Sequence, residues 1–264
     1  MGPGVNAHSS TIPWSVSIVV PARNEEQLIG RCIASVLQAL ATSTRQLQAS
    51  RLVIVADRCH DDTVGAAHRA ATITPTLFHE HRNVMVTTTA CGVGHARGIG
   101  TKYAMAALPG ISPSRVWIAN TDADSEVPET WIEDQLRWAD AGYHGVAGTI
   151  EVDSFADFPR GIESRFHRRY TALLPTSDED HGHVHAANMG VRLDAYLAAG
   201  GWAPLLRSED RDLWTRLSAT GHRTRSPAAL RVLTSGRKQN RIVDGFAASL
   251  VALQTAEPQP AGAS

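Results

Sequence analysis

The sequence predicts an α/β fold, a central mostly parallel sheet flanked by helices, on three observations. As far as Ile150, short β-branched runs alternate with longer helical patterns. The runs are about five residues long and almost wholly apolar, as strands buried on both faces are. The residues just beyond each run are polar, and in open α/β sheets ligands bind beyond the carboxyl ends of the strands.

The elements follow in order. Val16 to Val20 is the first predicted strand and Glu25 to Ala41 the first helix, then Arg51 to Ala56 with a helix over Asp61 to Ile73, and Val84 to Thr88 with a helix over Gly94 to Leu108. Arg115 to Ala119 is the fourth strand. Pro128 opens a helix to about Ala141, because proline suits a first turn, and Glu129 and Glu133 sit near the positive end of its dipole. A strand over Gly145 to Ile150 ends the regular alternation. Beyond Glu151 the pattern weakens into a helix over Asp157 to Leu173, an acidic loop over Pro175 to His183 and a strand over His185 to Val191. Helices near Asp194 to Ala199 and Glu209 to Thr220, a strand near Leu230 to Thr234 and a last helix from about Val243 complete it. Residues 14–253 are expected to form one domain, with the regular alternation over 14–150 and an elaboration over 151–253 placed to supply a second substrate pocket. Residues 1–13 and 254–264 are expected to fray.

Composition narrows the function. The 264 residues carry a formal net charge of -1 and no dense Lys/Arg tract, which argues against nucleic acid or an anionic bilayer as partner. No run is long and apolar enough to span a membrane, and no signal peptide opens the chain, so a soluble cytoplasmic protein is expected. Cys32, Cys59 and Cys91 form no CxxC pair and suit a reducing compartment.

The chemistry concentrates at the strand ends. Asp122 and Asp124 flank Ala123 directly after Val116-Trp117-Ile118-Ala119. In an extended segment residues two apart point the same way, so both carboxylates face one point beyond the strand. A hard divalent cation, Mg²⁺ or Mn²⁺, relieves their repulsion and in nucleotide enzymes bridges carboxylates to phosphates; a solvated Asp-rich turn is the alternative. Asp57 ends the second strand, placed either to accept hydrogen bonds from a base or ribose or to act as a turn acid, and Asp61 is positioned to cap the next helix. Arg23 and Arg97 suit either pyrophosphate oxygens or surface ion pairs. Gly92-Val93-Gly94-His95-Ala96-Arg97-Gly98 has an arginine where a dinucleotide fingerprint needs its third glycine, which weakens an NAD reading, although glycines at a helix start still admit phosphate to backbone N–H groups. Ser208 is placed to cap a helix whose first turn holds Glu209 and Asp210, either a general base among them or acids complementing the dipole. Among the twelve histidines, His79/His81 and His181/His183/His185 are weak zinc signals, and His185 or His222 is a candidate nitrogen ligand to the cation.

Together these residues resemble a family 2 glycosyltransferase of the GT-A fold. The pieces are Val19-Val20-Pro21-Ala22-Arg23-Asn24-Glu25-Glu26, Val55 to Thr63, Gly94 to Gly100, Asp122-Ala123-Asp124, Ala187-Asn188-Met189-Gly190 with Gly200-Gly201-Trp202, and Glu209-Asp210, in family order from about residue 15 to 250. The resemblance implies a Rossmann-like sheet, a nucleotide-sugar-binding half at 14–150 and an acceptor-binding half at 151–253, and transfer of one hexosyl unit from a UDP- or GDP-sugar to a small-molecule, glycan or lipid-linked acceptor; a homodimer is one expected state, which the sequence leaves open. It implies that Pro21, Arg23, Glu25 and Asp57 surround the nucleoside, with Gly94, Arg97 and Ala123 lining the donor. Asp122 then reaches ribose or sugar and shares the metal with Asp124, Asn188 and Trp202 face the acceptor, and Asp210 is the base, with Glu209 its competitor. Ala56 stands where members often carry a second acid beside Asp57, and Gln239-Asn240-Arg241 lacks the QxxRW pattern of processive synthases. A nucleotidyltransferase and a non-catalytic nucleotide-sugar-binding protein are the rival readings. The first wants a Gly-rich loop after the first strand, and Pro21 to Glu26 has no glycine.

Overall fold

The computed structural model describes residues 12–73, 84–89, 92–175 and 179–237. His79, His81, Cys91, Gln239-Asn240-Arg241 and the helix expected from Val243 lie outside them. In chain order the elements are β1 (Ser15–Ala22), α1 (Ile29–Thr42), β2 (Ala49–Asp57), α2 (Thr63–Ile73), β3 (Val84–Thr89), α3 (Val93–Ala106), β4 (Val116–Asn120), β5 (Ser125–Glu126), α4 (Trp131–Asp140), β6 (Gly145–Ala147) and β7 (Thr149–Val152). There follow α5 (Ile162–Thr171), β8 (Met189–Arg192), α6 (Leu193–Ala198), α7 (Glu209–Ala219), β9 (Thr224–Arg225) and β10 (Arg231–Thr234).

The main sheet has the order β3-β2-β1-β4-β8-β6-β9. β1, β2, β3 and β4 are mutually parallel, and β8 runs antiparallel to β4 and β6. This is the predicted mostly parallel sheet, and its strands are apolar throughout because helices cover both faces. On one face Ile29, Ile33 and Val36 of α1 and Trp131, Ile132 and Leu136 of α4 pack with Val16, Ile18 and Val20. On the other, Ala96 and Ala104 of α3, Tyr196 of α6 and Leu213 and Leu217 of α7 pack with Val19, Val53 and Val55. Helix α3 lies unusually close to the strands. A Cβ on Gly100 would stand 2.4 Å from Val19 Cγ1 and 3.0 Å from Val55 Cγ2, so only glycine fits there.

Several expectations shift: α1 starts at Ile29 and not at Glu25, and α4 starts at Trp131 and not at Pro128, which leaves Glu129 outside it. The strand foreseen over Gly145 to Ile150 is two strands in different sheets, broken at Gly148, where a Cβ would meet Asn188 Nδ2 and Leu230 O, each at 2.3 Å. The helix foreseen from Asp157 starts at Ile162, after Pro159 and a left-handed Gly161. His185 opens a 3-10 turn over Ala186–Asn188, with the strand only from Met189. A second sheet of order β5-β10-β7 joins the segment after Asp124 to β10, near the end of the described residues. Among the described residues no helix is long and apolar enough to cross a membrane.

Candidate active site

The carboxyl ends of the adjacent parallel strands β1, β2 and β4 come together, and hydrogen bonds join the exit loops of β1 and β2. Asn24 N–H donates to Cys59 Sγ (3.3 Å), His60 N–H to Asn24 Oδ1 (2.6 Å) and Glu25 N–H to Thr63 Oγ1 (2.6 Å). Asp61 Oδ1 accepts the Thr63 N–H at 3.1 Å, a turn contact to the first residue of α2 and not the helix cap expected of Asp61, because α2 starts two residues beyond it. Asp57 is buried at the end of β2. Its Oδ2 accepts the Gly92 N–H at 2.9 Å and its Oδ1 lies 3.5 Å from Arg58 Nε. Pro21 is half-buried in β1 opposite Val55, with half-buried Arg23 just beyond the strand.

Asp122 and Asp124 stand just past β4 with buried Ala123 between them. The Asp122 side chain is 39% exposed, and its backbone carbonyl accepts the Cys32 thiol at 3.2 Å. Burial, and then the charges of Asp124 and Asp122, push that thiol well up, so it stays protonated beneath the acids. Burial, then Asp122, then Glu25 push Asp124 up to about 7, while Arg237 pulls it down. Arg237 hydrogen-bonds Glu25 through Nη2, which is also 3.6 Å from Asp124 Oδ2. Excess negative charge at one point, already drawing in a guanidinium, is what a divalent cation would relieve, so these residues fit such an ion. Among the described residues no group of three or more His, Cys, Asp or Glu side chains forms a closed cage.

Arg97 connects this point to the Glu209-Asp210 pair. It is 1% exposed, a buried guanidinium whose Nη2 pairs with Asp122 Oδ1 and whose Nε lies 3.4 Å from Glu209 Oε1. The Trp202 ring covers it, with the guanidinium carbon 5.6 Å from the ring centroid. Glu209 is buried, and burial raises its carboxyl against the pull of Arg97, with Asp210 raising it further. Asp210 is half-buried. Its Oδ2 accepts the Ala186 N–H at 3.1 Å and its Oδ1 the Arg211 N–H at 2.7 Å, which fixes the carboxylate while leaving lone pairs for a third group.

Several expected placements are corrected. Asn188 is fully buried: its Oδ1 accepts Trp131 Nε1–H (2.9 Å), and its Nδ2 donates to Thr149 O (2.8 Å) and Leu230 O (2.9 Å). That amide is spent inside the protein and does not face an acceptor. Gly94 offers no phosphate cradle, because its N–H donates to Leu205 O at 3.1 Å and a Cβ there would stand 2.4 Å from Ala203 O. Ser208 holds a left-handed backbone (φ 55) and makes no side-chain cap. His222 packs against His144, ring centroids 5.0 Å apart, beside the residues that adjoin the start of β6, at the opposite end of the sheet from Asp124, which β4 reaches only on leaving it. His185 stacks in a row with His183 and Tyr170, centroids 5.6 and 5.9 Å away. Arg97 is no surface ion-pair residue, and Arg237 was not anticipated. A lone Gly-Arg after a strand is a weak sequence signal.

The sequence model of glycosyl transferase family 2 matches residues 17–198, which include the carboxyl ends of β1, β2 and β4. The chain belongs to glycosyl transferase family 2. Solved structures share its GT-A fold. A mannosyltransferase from Pyrobaculum calidifontis, solved with GDP-Man and Mn²⁺, is 17% identical with a TM-score of 0.64, over 87% of this chain and 59% of that one. TarS 1-349 from S. aureus, solved with UDP-GlcNAc, is 14% identical with a TM-score of 0.59, over 88% and 61%. The family 2 chain thus spans about three fifths of these relatives. Glucosyl-3-phosphoglycerate synthase from Mycobacterium tuberculosis, solved with phosphoglyceric acid, is 15% identical with a TM-score of 0.50, over 91% and 78%. No curated protein sequence matches the chain.

Proposed function

We propose that this family 2 protein transfers one sugar from a nucleoside-diphosphate sugar to an acceptor hydroxyl, with inversion at the anomeric carbon. The observation that carries the reading is the buried Arg97, which ties Asp122 on the donor side to Glu209 beside Asp210 on the acceptor side. Family membership disfavours the nucleotidyltransferase reading, and an intact set of acids disfavours a purely binding role. Glu25 and Asp57 meet the nucleoside, and Asp122 the ribose or sugar. Asp124, with Asp122, would hold a divalent cation, Mn²⁺ or Mg²⁺. When bound, that ion supplies positive charge against the developing charge of the diphosphate.

The chain's own residues divide the remaining work. Asp210 takes the proton of the acceptor hydroxyl, whose oxygen forms a bond to the anomeric carbon as the bond to the diphosphate oxygen breaks and the nucleoside diphosphate leaves with the electron pair. Asp210 is favoured over Glu209 as base because Glu209 is buried and committed to Arg97, whereas Asp210 is half-buried and keeps lone pairs for a third group. GDP-Man and UDP-GlcNAc, the donors in the two similar structures, set the first panel to try.

The test is transfer, donor hydrolysis and thermal shift with Mn²⁺ or Mg²⁺ and a panel of UDP- and GDP-sugars, on wild type, Asp124→Asn and Asp210→Asn. Asp124→Asn should weaken donor binding and Asp210→Asn should keep it while losing about 10²- to 10⁴-fold in rate. No response to any donor sinks the proposal. An active Asp210→Asn beside a dead Glu209→Gln moves the base by one residue.

A further inference from the structure

The segment leaving β10 is built to hold one cationic side chain against the acids of the donor site. Thr234 pairs with Ser125 across the small sheet, their hydroxyls 2.9 Å apart, and the Ser235 N–H donates to the carbonyl of Asp124 itself at 3.1 Å. Gly236 N–H donates to Asp153 Oδ1 at 2.9 Å, and a Cβ on Gly236 would lie 1.9 Å from Ser154 O, so only glycine allows the chain to pass so close. Arg237 follows, its own N–H 3.3 Å from Ser235 Oγ. Its guanidinium pairs with Glu25 at the exit of β1 and lies 3.6 Å from Asp124 Oδ2, with 20% of the side chain exposed.

We propose that Arg237 is a resident counter-cation that a divalent ion must displace from Asp124, so that the ion binds weakly alone and strongly together with a nucleoside diphosphate. The proposal rests on the metal reading given above. An ion on Asp124 would stand within a few ångströms of the Arg237 guanidinium if that group stayed in place, and like charges so close in a half-buried site repel strongly. A nucleoside diphosphate reverses the balance, because its phosphate oxygens complete the ion's shell and offer the released guanidinium a bidentate partner. Arg237 thus couples ion and nucleotide, and by linkage each raises the other's affinity by the same factor.

The experiment is titration of the full chain with Mn²⁺, followed by the electron paramagnetic resonance signal of free Mn²⁺, alone and with saturating GDP or UDP. Wild type should bind Mn²⁺ poorly alone and much better with one of the two nucleotides. Arg237→Gln should bind Mn²⁺ alone about tenfold or more tightly than wild type, and should gain correspondingly less from nucleotide. Arg237→Lys keeps the charge and should follow wild type; a gain equal to that of Arg237→Gln overturns charge competition. Asp124→Asn should abolish the binding throughout. If Asp124→Asn does so and Arg237→Gln leaves the affinity for Mn²⁺ alone unchanged or weaker, the counter-cation role falls and the metal reading stands. If no variant binds Mn²⁺ with or without nucleotide, both fall.

Discussion

Replacing Arg97 with methionine keeps most of the buried stem and deletes the charge, which isolates what the cation does. Glu209 would then remain with a side chain 8% exposed and no partner at its Oε1, near the acidic Asp210 and Asp122. Removing one member of a buried ion pair costs about 3–5 kcal/mol, because the other charge stays desolvated. Asp122, more than a third exposed, adds little to that cost. At about 2–4 °C per kcal/mol for a domain of this size, Tm should fall by about 6–20 °C. The penalty has a pH signature. Burial already raises the Glu209 carboxyl and Arg97 restrains it, so without Arg97 the folded protein holds this proton to higher pH. A raised folded-state pKa adds stability as pH falls, so the loss should be large near pH 7.5 and shrink toward pH 5. Urea unfolding followed by tryptophan fluorescence measures it, and adding Glu209→Gln to Arg97→Met should restore about 0.5–3 kcal/mol as coupling. A loss under about 1 kcal/mol at pH 7.5, or strict additivity with Glu209→Gln, would refute the buried-pair account.

Asn188→Ala should act on stability, leaving the acceptor KM unmoved: it strips the partner from Trp131 Nε1 and one donor each from Thr149 O and Leu230 O, a loss of about 2–4 kcal/mol in urea unfolding. A raised KM at unchanged stability would contradict the interior role. Burial, then His183 and His181, press His185 down to about 3. Above about pH 6.5 neither the folded nor the unfolded chain protonates this ring, but below it the unfolded chain alone takes the proton, so stability falls by up to about 1.4 kcal/mol per pH unit. Asp124 and Glu209, both raised, act in the opposite direction, so the reading is the difference between wild type and His185→Asn, whose acid limb should be flatter. Identical limbs would show that the ring is not held neutral.

What the sequence made legible was whatever fits in a contiguous run. Asp57 after Val53-Ile54-Val55, and Asp122 and Asp124 after Val116 to Ala119, lie where strand periodicity and strand-end logic put them. Long-range packing was not legible. Gly94 reads as a phosphate-loop glycine until the loop at 203–205 is seen lying on it, and Asn188 reads as an acceptor contact until Trp131, Thr149 and Leu230 close around its amide. β5 and β9 are two residues each, too short for any period to register. Gly145 to Ile150 looks like one strand because both halves are apolar, and only the close approach of Asn188 and Leu230 at Gly148 divides it.

Backbone strain adds a line of reasoning that no motif contains. Among the described residues the non-glycine positions with positive φ are Asn24 (52°), Arg58 (51°) and Ser208 (55°). Each is the immediate neighbour of an acid of the candidate site: Asn24 precedes Glu25, Arg58 follows Asp57 and Ser208 precedes Glu209. A left-handed non-glycine residue costs about 1 kcal/mol or more and persists only where its surroundings over-determine it. The surroundings are visible for the first two, in the Asn24 contacts to Cys59 and His60 and in the Arg58 N–H bond to Thr89 O at 3.0 Å. Propensity for helix or strand does not require these turns, since glycine would fill all three with less strain. The sharp turns instead set the direction in which Glu25, Asp57 and Glu209 leave the sheet and α7. Asparagine visits this region readily, so the strain lies at Arg58 and Ser208, each beside an acid of the candidate site, and a demand on the direction of the Asp57 and Glu209 carboxylates accounts for it better than helix or strand propensity does.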